Sequence, residues 1–416
     1  LKLHQGPTRA ARGPAALPAP GSDKSAPPPM AAAWSGGIVG VLRTPTFYVE
    51  TEQQRRILST FHKNTEDIKE EVHKTKTLCF SAQAFQKQHP DKTRKGIRDA
   101  DVTLGSPMIL GIADGVSQVE EFGIDASLLP RELLMHCQDL GDAQLTPGYR
   151  SRPQDKYRGP IPLLTEAFQA TDNTLGSTTA TLALLDNSTK IHGKPHPMIA
   201  VITVGDCQLL VLRRTQGRGS RLESVFQTEM QRIDGHVQTP LQIARIGADI
   251  DPAFHDDITL EVIEKGSAVH CVSAYEGDVI VMGTDGVFDN LFCHEVIEIC
   301  NNVLQPSRKG SVPASLLRSL GQQIVAASHA KTARGPRNSL PETPIGRGGK
   351  VDDTAVVVAE VVEWTQDRAN EHANRRPQSD ACLFQRMLSM LGLECGCRDG
   401  NANDVEEVSD EDSDDA

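Results

Sequence analysis

The chain has 416 residues, is 38% hydrophobic and carries a formal net charge of −12, enough length and apolar material for one large domain or two modest ones. The charge is uneven: residues 404–416 hold eight acidic side chains and no basic one, leaving −4 for the rest, so no basic excess exists to neutralise nucleic-acid phosphates. No apolar run approaches a membrane span, and nine scattered cysteines without a CxxC pair suit a reducing compartment better than a disulfide framework.

Along the chain, residues 1–50 come first, rich in Ala, Pro and Gly; up to residue 46, Asp23 is the one acid among Lys2, Arg9, Arg12, Lys24 and Arg43. This is the composition of a disordered segment, and also that of an organelle-targeting peptide such as a mitochondrial one. Without targeting, the cytoplasm is the expected compartment. Residues 51–77 are charged and read as a helical connector.

From Leu78 to Trp364 the chain breaks into short apolar runs divided by turns. The spacing predicts strands at 108–113, 178–186, 198–204, 207–213, 278–283 and 354–362. They are rich in Val, Ile and Leu without clean alternation, as expected of strands covered on both faces. Helices are predicted at 127–140, 160–169 (opening on Pro160), 294–304 and 313–329. Strands interleaved with long helices indicate packed sheets flanked by helices, in one domain over 78–364. Residues 365–416 form an extension in which Leu383, Phe384, Met387, Leu388, Met390 and Leu391 make an apolar helical face, followed by a solvated acidic tail. The expected state is a monomer.

Three predicted strands end on a carboxylate: Asp114 after "MILGIA", Asp206 after "IAVITVG" and Asp285 after "VIVMGT". A fourth, Asp352, opens "DDTAVVVAEVV". Each alone reads as a strand-end turn residue. If the strands share one core, their ends converge, and unpaired carboxylates so placed repel one another. A hard divalent cation (magnesium, manganese or calcium) relieves that repulsion with oxygen ligands alone. Gly115 lets the backbone approach closely enough for its carbonyl to join them. Other patterns carry less. His192 and His196 are separated by Gly and Pro and cannot share a helix face. Ser177 lacks the Gly-x-Ser-x-Gly elbow, no Walker loop is present, and Cys293 and Cys300 are spaced as a helical core face.

In order and context these segments resemble the metal-dependent protein phosphatases of type 2C. "GIADGV" is similar to that family's first metal Asp-Gly, "LGSTTATLALL" to its Gly-Ser-Thr-Ala strand and "TVGDCQLLVLR" to its Gly-Asp-Ser strand. "VIVMGTDGVFDN" resembles the second Asp-Gly and "GGKVDDTAVVV" the closing Asp-Asp or Asp-Asn. The likeness spans residues 78–364 and is strongest to the branch of the mitochondrial T-cell activation phosphatase, through "FGIDASLL" and "TPLQIA". It implies an α+β fold, a four-layer α/β/β/α sandwich of two mainly antiparallel sheets flanked by helices.

The resemblance implies roles as well. Asp114 would bridge two Mg2+ or Mn2+ ions, with the Gly115 carbonyl on one of them and Asp285 and Asp352 on the second. Asp206 and Asp289 would lie at a looser third position that some members show. Asp99, in "RKGIRDADV", would be an outer-shell acid, and Arg94 or Arg98 would bind phosphate. Asp114, Asp285 and Asp352 would thus carry catalysis, in which a hydroxide bridging two ions roughly 4 Å apart attacks phosphoserine or phosphothreonine of a phosphoprotein substrate. His136 or a water would protonate the leaving group. Two departures from the family pattern stand out. Arg98 replaces a usual acid, and Ser117-Gln118 replaces Gly-Gly before a usual Trp. They support an alternative, a catalytically silent relative that binds phosphoproteins as a regulator.

Overall fold

The computed structural model describes residues 76–148, 156–217, 220–233, 239–305 and 310–375. The N-terminal segment, the connector up to residue 75, the apolar face at 383–391 and the acidic tail lie outside them. The chain divides into two units after Trp364. Within the second unit the described part is a helix, Gln366–Arg375.

Two five-stranded sheets and the helices between their strands form the body of the first unit. Sheet one runs β1 (Leu78–Lys87), β10 (Thr354–Glu363), β9 (Val279–Gly283), β6 (Gln208–Arg214) and β7 (Leu222–Gln227) in spatial order. Sheet two runs β8 (Ala268–Ser273), β5 (Met198–Val204), β4 (Ala180–Asp186), β3 (Ile109–Asp114) and β2 (Asp101–Gly105). Every neighbouring pair is antiparallel.

Strand alternation divides the core into three apolar layers. Leu110, Ile112, Ala183 and Val201 of sheet two face Leu209, Val211, Ile280, Met282 and Val357 of sheet one. The alternate residues of sheet two, among them Ile109, Leu182 and Ile202, pack on Leu133 and Leu134 of α2 (Leu128–Leu145) and Phe168 of α3 (Pro160–Ala170). Those of sheet one, among them Leu210, Val281 and Val358, pack on Val296 of α5 (Cys293–Val303) and Leu317 and Ile324 of α6 (Ala314–Thr332). Both faces of the inner strands are covered, which is why their sequences show unbroken apolar runs. This is the four-layer sandwich that the resemblance implied.

The run predicted at 178–186 is interrupted at Thr179. Gly176–Thr178 pairs with Ile243–Arg245, while β4 pairs with β3 and β5. The amide of Thr179 and the hydroxyl of Thr178 both donate to the Asp114 carbonyl, at 2.9 and 3.0 Å, so the strand changes partners at the end of β3.

Candidate active site

Antiparallel register brings the predicted aspartates to one end of the sandwich. Asp114 is the last residue of β3 and pairs across the ladder with Asp101, the first residue of β2. Asp206 lies in the turn from β5 to β6. Asp285 opens α4 (Asp285–Phe288) directly after β9, and Asp352 and Asp353 precede β10. Gly283 of β9 pairs with Gln208 on one side and Val356 on the other, which sets these last turns side by side.

Both Asp-Gly glycines are demanded by close backbone approach. A Cβ on Gly115 would lie 2.3 Å from the Ala126 carbonyl oxygen, and one on Gly286 would lie 1.9 Å from that of Asp353. Asn290 fixes the same region. Its amide donates to the carbonyls of Gly286 and Lys350, each at 3.0 Å, and its oxygen accepts from the Lys350 amide at 2.6 Å.

The electrostatics are those of crowded acids. Burial, then the charges of Asp99, Asp352, Asp353 and Asp285, holds Asp101 well above the ordinary carboxylate value. Burial and the neighbouring Asp101, Asp285 and Asp352 do the same to Asp114. Burial pushes Asp285 up to about 7, against the opposing pull of Lys350. For Asp352 burial also acts upward, but the ammoniums of Lys350 and Lys92 outweigh it and hold the group below its ordinary value.

Two lysines supply this compensation. Lys350 Nζ contacts Asp285 Oδ2 and lies 2.7 Å from Asp352 Oδ2 and 3.8 Å from Asp289 Oδ2. Lys92 Nζ lies 2.8 Å from both Asp352 Oδ1 and Asp353 Oδ2. Lys92 is aimed by α1 (Pro90–Arg94), whose start is capped by buried His89: Nδ1 accepts from the Asp91 amide at 3.1 Å. The same His89 ring is tied to Thr332 of α6 through Nε2 at 2.9 Å.

Asp99 accepts from the Asp101 amide at 3.2 Å, an outer position beside the cluster. Asp206 and Asp289 also come together, but Arg232 lies between them: Nε is 3.0 Å from Asp206 Oδ2 and Nη2 is 2.8 Å from Asp289 Oδ1. The two arginines expected to bind phosphate are engaged with carboxylates outside the cluster. Arg94 is 76% exposed and engages Asp91 on its own short helix; Arg98 is 71% exposed and pairs with Asp125 at 2.5 Å. Neither is hydrogen-bonded to the cluster. Arg94 ends α1 and Arg98 lies in the connection to β2, and each has a nearby carboxylate within reach. His136 sits within α2, and among the described residues it makes no hydrogen bond to the aspartates.

Sequence reading missed Lys92, Lys350, Asp101, Arg232 and Asn290. Lys350 and Asn290 stood inside the quoted motifs "GGKVDD" and "GVFDN". Arg232 carried no local signal, since only the fold brings it to Asp206 and Asp289.

Among the described residues no three His, Cys, Asp or Glu side chains are already set to hold a metal ion. The lysines draw the carboxylates onto themselves. The donor set beside Asp114 and Asp352 nevertheless fits a hard cation: it consists of oxygens, and Asp285 Oδ1 and Asp353 Oδ1 are buried without a hydrogen-bond partner.

Among proteins of known sequence, the chain is 30% identical over 284 residues to "Probable protein phosphatase 2C 26" of Arabidopsis thaliana, covering 66% of this chain and 81% of that one. The chain belongs to the protein phosphatase 2C family. A second phosphatase 2C from Arabidopsis thaliana, "Probable protein phosphatase 2C 55", is 28% identical over 292 residues, 69% of this chain and 53% of that one. Among solved structures it is similar to the photosystem II phosphatase PBCP, at 23% identity and a TM-score of 0.45 over 68% of this chain and 98% of that one. No family model matches the chain.

In this phosphatase 2C chain the buried Asp101 makes a prediction that needs no metal. Its folded-state pKa is raised above 3.8, so the folded chain holds that proton more tightly than the unfolded chain. The resulting stability is complete at low pH and is lost as pH rises through the folded value. In chelator the protein should therefore melt lower at about pH 8 than at about pH 5.5, and Asp101→Asn should flatten that slope. The Thr284 hydroxyl, which donates to Asp101 Oδ2 at 2.9 Å, keeps an acceptor in the variant. Equal slopes in the two proteins would show that Asp101 does not carry the effect.

Proposed function

We propose that this chain hydrolyses phosphoserine and phosphothreonine in proteins, with Mg2+ or Mn2+ held at the aspartate end of the sandwich. One observation carries the reading most: Asp114, Asp285 and Asp352 come from three separate strand ends to one place, with a buried oxygen of Asp285 lacking any partner. Asp114, the Gly115 carbonyl, Asp285 and Asp352 would hold two ions. When bound, such ions polarise phosphoryl oxygens and lower the pKa of water enough for attack on phosphorus near neutral pH.

The chain's own groups do the rest. Lys92 fixes the orientation of Asp352 from the side away from Lys350, using a separate carboxylate oxygen. Asn290 and the two glycines hold the turns bearing Asp114, Asp285 and Asp352 at their close separation. Lys350, on a flexible stem and 23% exposed, would give up its carboxylates to bound ions, and its ammonium could then face phosphate oxygens. This role takes the place of the one expected for Arg94 and Arg98.

We place the chain in the branch of the mitochondrial T-cell activation phosphatase on the strength of "FGIDASLL" and "TPLQIA". The direct test of the activity is phosphate release from a phosphothreonine peptide in Mn2+. Folded protein releasing none would overturn the reading.

Lys350 yields a separate prediction. Removing an internal cation that competes for the same oxygens should tighten Mn2+ binding in Lys350→Gln by about tenfold, roughly 1.4 kcal/mol. The metal-free variant should also melt lower, because Asp285 and Asp352 lose a partner. Calorimetric titration with Mn2+ checks the first effect, and weaker binding in the variant would show that Lys350 supports the ions instead of competing with them.

A further inference from the structure

Resting on the phosphatase reading above, we infer that Arg232 permanently takes the place of a third cation, so that this chain works with two ions and a fixed guanidinium. Asp206 and Asp289 are the acids available for such a third position, and each side chain is 1% exposed. Both are committed to Arg232. Nε donates to Asp206 Oδ2 at 3.0 Å, and Nη2 lies 2.8 and 2.9 Å from the two oxygens of Asp289. Two buried carboxylates are thus joined through one planar group, Nε on one and Nη2 on the other, by charge-assisted hydrogen bonds.

The backbone around Arg232 is fixed in the same place. The Gln231 amide donates to the Gly205 carbonyl at 2.7 Å, and Gln231 Oε1 accepts from the Gly205 amide at 3.1 Å. Gln231 Nε2 donates to the Gly266 carbonyl at 2.8 Å, and Arg232 itself bridges to Pro240. The residue before Arg232 is therefore bound to the turn that carries Asp206, and the guanidinium has a short, determined path to both acids.

What remains is too little for a hard cation. Asp206 Oδ1 is the one oxygen of the two carboxylates without a partner, whereas magnesium or manganese takes about six oxygens and gains most from charged ones. The guanidinium also keeps its charge at every accessible pH, so it does not vacate the position by losing a proton. Lys350 differs in each respect. It is a point charge on a flexible stem, and it contacts Oδ2 of Asp285 while Oδ1 of that carboxylate is buried with no partner.

The test counts ions. Wild-type protein equilibrated with Mn2+ up to about 10 mM and analysed for bound metal should hold two ions per chain, and Asp289→Asn should leave that number unchanged. Arg232→Met frees both carboxylates and should gain a third, weaker ion, while Arg232→Lys, which keeps a charge there, should not. Should Arg232→Met fail to fold, the comparison of wild type with Asp289→Asn decides alone. A wild-type chain that binds three ions and loses the third in Asp289→Asn would overturn the inference while leaving the phosphatase reading intact. Wild-type protein binding no Mn2+ at all would overturn the phosphatase reading itself, and this inference with it.

Discussion

Asp114→Asn and Asp285→Asn are each expected to lower kcat/KM on a phosphothreonine peptide by at least about a hundredfold, close to 2.7 kcal/mol of barrier. The substitution keeps shape and most hydrogen bonding but removes one negative charge. On the proposed mechanism each of these acids would be one of few charged ligands for two ions, because Lys92, Lys350 and Arg232 occupy much of the surrounding carboxylate. Neither variant should unfold. Burial and neighbouring acids hold both pKa values up, so in the metal-free chain the charge at these positions costs stability, and a neutral amide relieves it. The expected signature is a large loss of activity together with a melting temperature in chelator that is unchanged or higher. Steady-state kinetics and thermal melts on the same preparations check both halves. Near-normal turnover in Asp114→Asn would remove it from the machinery.

Gly286→Ala is expected to cost both stability and activity although it touches no charge. The added Cβ would lie 1.9 Å from the Asp353 carbonyl oxygen and 3.0 Å from its carbon, both backbone atoms that cannot rotate away. Relief requires the 350–353 segment to move off α4, against the Asn290 hydrogen bonds that hold Lys350 there. Overpacking of this kind costs about 1–3 kcal/mol, and a shift of about 1 Å between ligand-bearing turns lowers turnover by on the order of a hundredfold. Because Asp285 and Asp352 sit on opposite sides of the contact, Mn2+ affinity should fall as well. A variant with wild-type melting temperature and Mn2+ affinity would show that the two turns are not held in register through this glycine.

The inner strands β3, β4, β5, β6, β9 and β10 were legible as apolar runs because neighbours on both sides and apolar layers on both faces demand such residues. Those not recognised from sequence were β1, β2, β7 and β8, which are the four edge strands of the two sheets. An edge strand is half covered, and its residues follow local surface needs: β7 reads Leu222-Glu-Ser-Val-Phe-Gln, with its middle exposed. The same distinction runs through the site. Asp114, Asp206 and Asp285 were visible because each ends a buried run, and Asp352 because it opens one. Asp101 escaped notice because it opens an edge strand, and Arg232 because nothing near it in sequence needs a cation. Arg94 and Arg98 were placed by motif alignment alone, and surface carboxylates close to them in space hold their guanidiniums instead.

The central claim is that phosphate ester hydrolysis in this chain runs on divalent ions held by Asp114, Asp285 and Asp352. It is tested most directly by following phosphate release from a phosphothreonine peptide before chelation, after exhaustive chelation and after return of Mn2+ in excess. The account predicts activity, then its loss, then its recovery in the wild type, with no recovery in Asp114→Asn on the same scale. Hydrolysis that persists undiminished in chelator would contradict it.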